Sequence, residues 1–177
     1  MIWSDECYVY LGDDHGRIYI TQSTDEEYNE ECLVPTFKQS SVHVMIWGCI
    51  MKGKKGPLVV LNYPGGKGSR MNSKRYQEQV LDSVLHQFYT RMNRYWPGTL
   101  FQQDGAPGHW SKLTQAWFWA ASIPLIDHPR SSPNLNPIEL VWHELKKNLR
   151  ALPHPPTTVE QLIDAVQDAW EELWIGC

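Results

Sequence analysis

No stretch of the 177 residues reaches the roughly 20 consecutive apolar positions that a membrane-crossing helix requires, so no partnership with a membrane is expected. The leader pattern of secreted chains is missing too, because Asp5 and Glu6 stand where basic residues and an apolar run belong. Cysteine is scarce and scattered. Cys7, Cys32, Cys49 and Cys177 form no C-x-x-C pair, which signals neither a zinc knuckle nor a disulfide framework and makes a reducing compartment the simpler expectation. Neither H-E-x-x-H nor G-x-S-x-G occurs, so the commonest zinc and serine hydrolase signatures are excluded, and no motif calls for a small organic cofactor. Internal repeats are absent. The net charge of −4 argues by itself against sequence-independent nucleic-acid binding.

What the chain does contain is 42% hydrophobic residues and nine tryptophans, enough for one packed domain spanning residues 1–177. Its charge is unevenly spread. Met1 to Glu31 carries nine acids and one base, whereas Met51 to Arg75 carries Lys52, Lys54, Lys55, Lys67, Arg70, Lys74 and Arg75 with no acid. The second stretch is glycine-rich, and it reads equally as a contact for a phosphate backbone or as a solvated basic loop.

Alternation predicts a strand over Ile2 to Leu11, a turn at Gly12 to Gly16 and a returning strand over Arg17 to Thr21, with a polar loop from Thr24 to Lys38. Val42 to Met51 is apolar almost throughout, as a central strand is, and Leu58 to Leu61 follows as a short strand. Tyr63 to Ser73 reads as a loop. Ser73 is the expected cap of a helix to about Tyr95, with Tyr76, Val80, Val84, Leu85 and Phe88 recurring near every 3.6 residues. A short strand, Thr99 to Gln103, then leads to Asp104 and a Gly/Pro turn. Lys112 to Ala121 (helix), Pro124 to Asp127 (strand) and a proline-rich loop follow. Asn136 is the expected cap of the next helix, with Val141, Trp142, Leu145 and Leu149 inward, and Thr157 or Thr158 that of the last. The order predicts an α/β class, a mixed sheet covered by helices.

Three acids stand out within this plan. Asp5 shares a pleat face with Trp3, Cys7 and Val9, so its carboxylate points into an apolar layer, where it needs a cation or a proton. Asp104 at a strand end and Glu139 in the first turn of a helix each have an ordinary structural reading, as a turn former and a capping-box acid. Together they supply hard oxygen ligands, which suit Mg²⁺ or Mn²⁺ and phosphate chemistry with two ions. His109, five residues after Asp104, reads either as a substrate contact or as a turn histidine. Trp110, Trp117 and Trp119 can stack bases, though Trp117 has the spacing of a core residue.

The blocks WSDE (Trp3 to Glu6), MIWGC (Met45 to Cys49), FQQDGAPGH (Phe101 to His109) and SPNLNPIELVW (Ser132 to Trp142) resemble, in this order, the signature blocks of the mariner-type superfamily of DDE transposases. Between Asp104 and Glu139 lie 34 residues, a spacing that marks one large branch of that superfamily. The chain departs from the usual pattern at Gly105, His128, Ser131 and Asn134. The resemblance implies an RNase H-like fold, with Asp5, Asp104 and Glu139 binding Mg²⁺ or Mn²⁺, two ions in number. It further implies hydrolysis at transposon ends and 3′-hydroxyl strand transfer, DNA as partner, a homodimer in a synaptic complex, and the nucleus as location. Lys52, Lys54, Lys55, Lys67, Arg70 and His109 are the expected DNA contacts. Because Asp5 lies so close to the first residue, the helix-turn-helix region that family members carry ahead of it is expected to be absent. Two alternatives follow: an inactive or domesticated fragment that binds DNA or protein, and a nuclease of the same fold that cuts without joining.

Overall fold

The structure, a computed structural model, describes residues 1–12, 42–62, 71–126 and 136–173. The expected strand at Arg17 to Thr21, the acidic loop, most of the loops at 63–73 and 129–137, and Lys67, Arg70, His128, Ser131 and Asn134 lie outside them.

Alternating side chains in β1 (Ile2–Tyr10) and the apolar run of β2 (His43–Met51) make the two longest strands. They pair antiparallel along their whole length, with Asp5 opposite Gly48. β3 (Lys54–Leu61) pairs antiparallel with β2 across an irregularity between Gly48 and Ile50. The short β4 (Phe101–Gln102) lies parallel to β1, Ile2 beside Phe101 and Trp3 beside Gln102. The sheet order is β3-β2-β1-β4.

Each face of this sheet is covered by helices. On one, Ile2, Trp47, Cys49 and Met51 pack against a continuous helix made of α1 (Ser73–Tyr76), a π-helical segment (Gln77–Leu85) and α2 (His86–Tyr95), and against Phe118 of α3 (Lys112–Ala120). On the other, Cys7, Val9, Val44, Ile46 and Ile50 pack against Ile138, Trp142 and Leu145 of α4 (Ile138–Arg150). Leu162, Val166 and Trp170 of α5 (Val159–Glu172) complete that layer. The expected α/β class with a mixed, helix-flanked sheet is what folds.

Several boundaries differ from expectation for local reasons. The first helix is capped by Asn72, whose side chain accepts from the Arg75 N–H, one residue earlier than Ser73. β3 starts at Lys54 and runs through Pro57, which an edge strand tolerates because it can spare a ladder N–H. Of the stretch Thr99 to Gln103 only Phe101–Gln102 pairs as strand, and Leu125 contributes a single parallel bridge to Phe101. Thr158 caps α5, accepting from the Gln161 N–H at 3.2 Å. Cys7 and Cys49 are buried free thiols.

Candidate active site

Because β1 and β4 run parallel in register, the chain leaving β4 carries Asp104 alongside Asp5. Ser4 locks the two strands together: its hydroxyl donates to the Gln102 carbonyl at 2.8 Å and its N–H to Gln102 Oε1 at 3.3 Å. Asn136, buried at the mouth of α4, bridges the same strands by donating through Nδ2 to the Ser4 carbonyl at 3.1 Å and to Gln102 Oε1 at 3.4 Å. Its own Oδ1 accepts from the Ile138 N–H at 3.3 Å, which ties the start of α4 to the sheet, although the cap position is taken by Pro137 and not by the expected Asn136. Glu139, in the first turn of α4, is thereby placed near Asp5 and close to the positive end of the helix.

The approach of α4 depends on a glycine. A Cβ on Gly48 would stand 2.7 Å from Cη2 of Trp142 and 3.3 Å from that of Trp170. With no side chain there, the Trp142 ring settles over the strand pair, and its Nε1–H donates to Asp5 Oδ2 at 3.3 Å.

Asp5 sits half-buried among other acids. Burial, reinforced by the charges of Glu6, Glu139 and Asp104, pushes its carboxyl from the ordinary 3.8 to about 7, against the opposing pull of the Glu6 backbone N–H. Glu6 points to the opposite face of the strand, where it meets His109. The imidazole is buried, with Nε2 3.1 Å from Glu6 Oε1 and Nδ1 2.5 Å from Asp104 Oδ1, and it packs on Tyr76 at 4.4 Å between ring centroids. Burial pulls the His109 pKa down, but the Glu6 charge and the bonds to Asp104 and Glu6 outweigh it and hold it at about 10. Partial burial alone would raise Asp104. The bonded, charged His109 and the Ala106 N–H instead keep it below the usual carboxylate range. Both bonds go to Oδ1, and Asp104 Oδ2 has no hydrogen-bond partner among the described residues. Trp110, half-exposed, donates its indole N–H to the Asp104 carbonyl at 2.9 Å.

The donor set fits a hard divalent cation. Asp5, Asp104 and Glu139 offer oxygens alone, and the Asp5 carboxyl, raised first by burial and then by the neighbouring acids, is one whose charged form a cation would stabilise. A second trio, Glu6, Asp104 and His109, has ligand atoms within 4.8 Å of one another and offers a mixed oxygen and nitrogen set for a metal ion, or an ion-paired cluster when the imidazole carries its proton.

Two expected DNA contacts have their polar atoms committed inside the protein. His109 is a clamp on Asp104, its side chain 7% exposed. Lys55 donates to the Trp170 and Glu171 carbonyls at 2.5 and 2.6 Å, neutralising the C-terminal end of α5. Lys52 and Lys54 stand in the β2–β3 turn and at the start of β3. Sequence reasoning missed Glu6, Asn136, Gln102 and Trp142 as partners of the site. The signal available for the first was its adjacency to Asp5.

Fold and site together define a class: an RNase H-like domain whose parallel strand pair, β1 and β4, leads to carboxylates at one end. The family model described as "DDE superfamily endonuclease" matches residues 2–163, and the chain belongs to that family. It is 28% identical over 172 residues to the transposable element Tc1 transposase of Caenorhabditis elegans, covering 97% of this chain and 59% of that protein. To the Tc3 transposase of the same organism it is 35% identical over 130 residues, covering 73% and 37%. Thus the chain spans about 59% of the length of the first relatives it matches. Among solved structures, the catalytic domain of Mos1 mariner transposase superposes with a TM-score of 0.64 at 14% identity, covering 97% of this chain and 70% of that one. The Mos1 paired-end complex with the left transposon end gives 0.69 at 15% identity, covering 98% and 48%. At these identities the shared property is the fold.

Proposed function

We propose that this chain is the catalytic domain of a DNA transposase, hydrolysing a phosphodiester at transposon ends and then joining the freed 3′-hydroxyl to target DNA. The observation that supports the reading is the Asp5 carboxylate, desolvated on an interior strand and felt electrostatically by Glu139 and Asp104, with β4 running parallel to its own strand. Asp5, Asp104 and Glu139 would hold Mg²⁺ or Mn²⁺, two ions in this reading. Bound there, a divalent metal supplies charge neutralisation at the phosphate and a lower cost for deprotonating the attacking hydroxyl.

The residues of the chain prepare the rest. Trp142 orients Asp5, and His109, itself held by Glu6, orients Asp104. In the first step water attacks phosphorus, loses a proton, and the P–O3′ bond breaks with protonation of the 3′-oxygen. In the second, the 3′-hydroxyl attacks a target phosphorus, loses its proton, and the target's own 3′-oxygen leaves. Work on two ends at once makes a homodimer the proposed assembly, and the Mos1 transposase has been seen in a paired-end complex.

Nicking of supercoiled plasmid by the purified chain tests this. With Mg²⁺ or Mn²⁺ nicked circles are expected, and Asp104→Asn should abolish them while the chain still folds, as a cooperative melting curve shows. Cleavage retained by Asp104→Asn would sink the assignment, and a wild-type chain that binds DNA but never nicks it would favour a binding module. A substrate with a pre-cut 3′-end separates a transposase from a nuclease that only cuts.

A further inference from the structure

The last turn of α2, with Tyr95, and Trp96 just beyond it stand beside the outer strand of the sheet. A cavity of about 350 Å³ opens there between β3 and α2, lined by Lys54, Phe88, Arg91, Met92, Tyr95 and Trp96, with the Lys55 stem. Beside it a second cavity, of about 520 Å³, shares Lys55, Phe88 and Arg91. No carboxylate lines the first. The single acid of the second, Glu171, faces Lys55 at 3.8 Å.

The cations divide their duties. Lys55 is fixed to the end of α5 and forms a wall. Lys54 and Arg91 have no carboxylate partner among the described residues, and the Arg91 guanidinium lies over the Phe88 ring, 5.6 Å from its centroid. Tyr95 and Trp96 are 71% and 43% exposed, their rings 5.9 Å apart and inclined at 56°. Single exposed aromatics are ordinary. Two neighbouring ones on the rim of a concave, acid-free groove with two unpaired cations match a polyanion that also carries flat rings.

We propose that this groove binds a strand of DNA, with Lys54 and Arg91 on phosphates and a base stacked against Tyr95 and Trp96. Basic side chains tracking a backbone and aromatic side chains accepting bases are the two elements of single-strand binding. Lys54 lies opposite Met51, and Met51 opposite Ile2, so the groove is two strands away from β1 on the side of the sheet that carries α2, whereas Asp5 faces Trp142 of α4. The groove is therefore a second DNA site of the domain. It rests on the reading that the chain works on DNA, but not on its being able to cut.

Fluorescence anisotropy with a labelled oligothymidylate and the full chain, in EDTA at low salt, tests it. Lys54→Glu/Arg91→Glu should weaken binding at least about tenfold and flatten the salt dependence by about two phosphate contacts. Tyr95→Ala/Trp96→Ala should weaken it by about tenfold and leave the salt slope as it was. Melting curves check that both variants fold, and Arg91→Lys with Tyr95→Phe should retain binding. Unchanged affinity in the folded variants overturns the proposal, as does a groove that takes a polyglutamate peptide in preference to the oligonucleotide. The two readings fail separately. If Asp104→Asn abolishes nicking while the groove variants bind as wild type, the groove fails and the nuclease stands; the reverse holds if the wild type never nicks but the groove variants lose DNA.

Discussion

Gly48→Ala probes the joint between the sheet and α4 with one methyl group. The added carbon would stand 2.7 Å from Trp142 Cη2, whereas carbon atoms pack at about 3.5–4.0 Å, so the indole must retreat by roughly 1 Å. It has nowhere easy to go. Trp142 is 3% exposed, tilted against Trp170 at 5.5 Å between centroids, and tethered to Asp5 Oδ2 at 3.3 Å. Overpacking of this kind costs about 1–3 kcal/mol, and losing a hydrogen bond to a carboxylate adds about 1 kcal/mol. For a chain of this length the melting temperature should fall by roughly 5–12 °C, with metal-dependent nicking falling further because Asp5 loses its orienting partner. Trp142→Phe removes the ring atoms that clash. In a double-mutant cycle followed by thermal melting, Gly48→Ala should therefore cost at least about 1 kcal/mol less in the Trp142→Phe background. A Gly48→Ala chain that melts with the wild type, or one whose loss is the same in both backgrounds, would refute the packing argument.

Other consequences are as open to measurement. In the metal-free chain Asp5→Asn should stabilise, because a carboxyl with a folded pKa of about 7 against 3.8 carries a burial cost that is complete above pH 7 and relieved as the pH falls. By linkage the gain is up to about 4 kcal/mol at pH 8 and about 2 kcal/mol at pH 5 by urea denaturation, and a gain that does not shrink with acid contradicts it. The same proton competes with the cation, so Mn²⁺ affinity, followed by calorimetry, should drop about tenfold between pH 8 and pH 6. Asn136→Ala strands the Ser4 carbonyl and loosens the start of α4. It should cost about 1–3 kcal/mol and weaken Mn²⁺ binding by displacing Glu139, whereas Asn136→Asp, keeping Oδ1 but not the donor, should recover little of either.

What was legible in the sequence was whatever a single element expresses by itself. The alternation of β1 put Asp5 on an apolar face before any partner was known, and the 3.6-residue stripe of α4 named Trp142 and Leu145, which are buried, and Val141 and Leu149, which are partly so. The three acids were singled out by element type and by resemblance to a family, and the fold sets Asp104 and Glu139 close enough to Asp5 to raise its pKa. The unread part is tertiary. Glu6 and Asp5 are neighbours in sequence but face opposite sides of the sheet, so the clamp of Glu6 and His109 on Asp104 exists only because β4 lies parallel to β1. Strand partners separated by about a hundred residues leave no periodic trace of their pairing. Gly48 was visible as part of MIWGC, yet its reason lies in an indole 94 positions later that needs the space. The same holds for Lys55 and His109: the basic stretch marked the first as a contact for DNA and the nearness to Asp104 marked the second, and only the end of α5 and the turn after β4 show what their polar atoms already bind. A basic residue in a sequence is thus a charge without an address. Lys54 and Arg91, which line the groove and have no carboxylate partner among the described residues, are cations whose reversal should be felt by a polyanion.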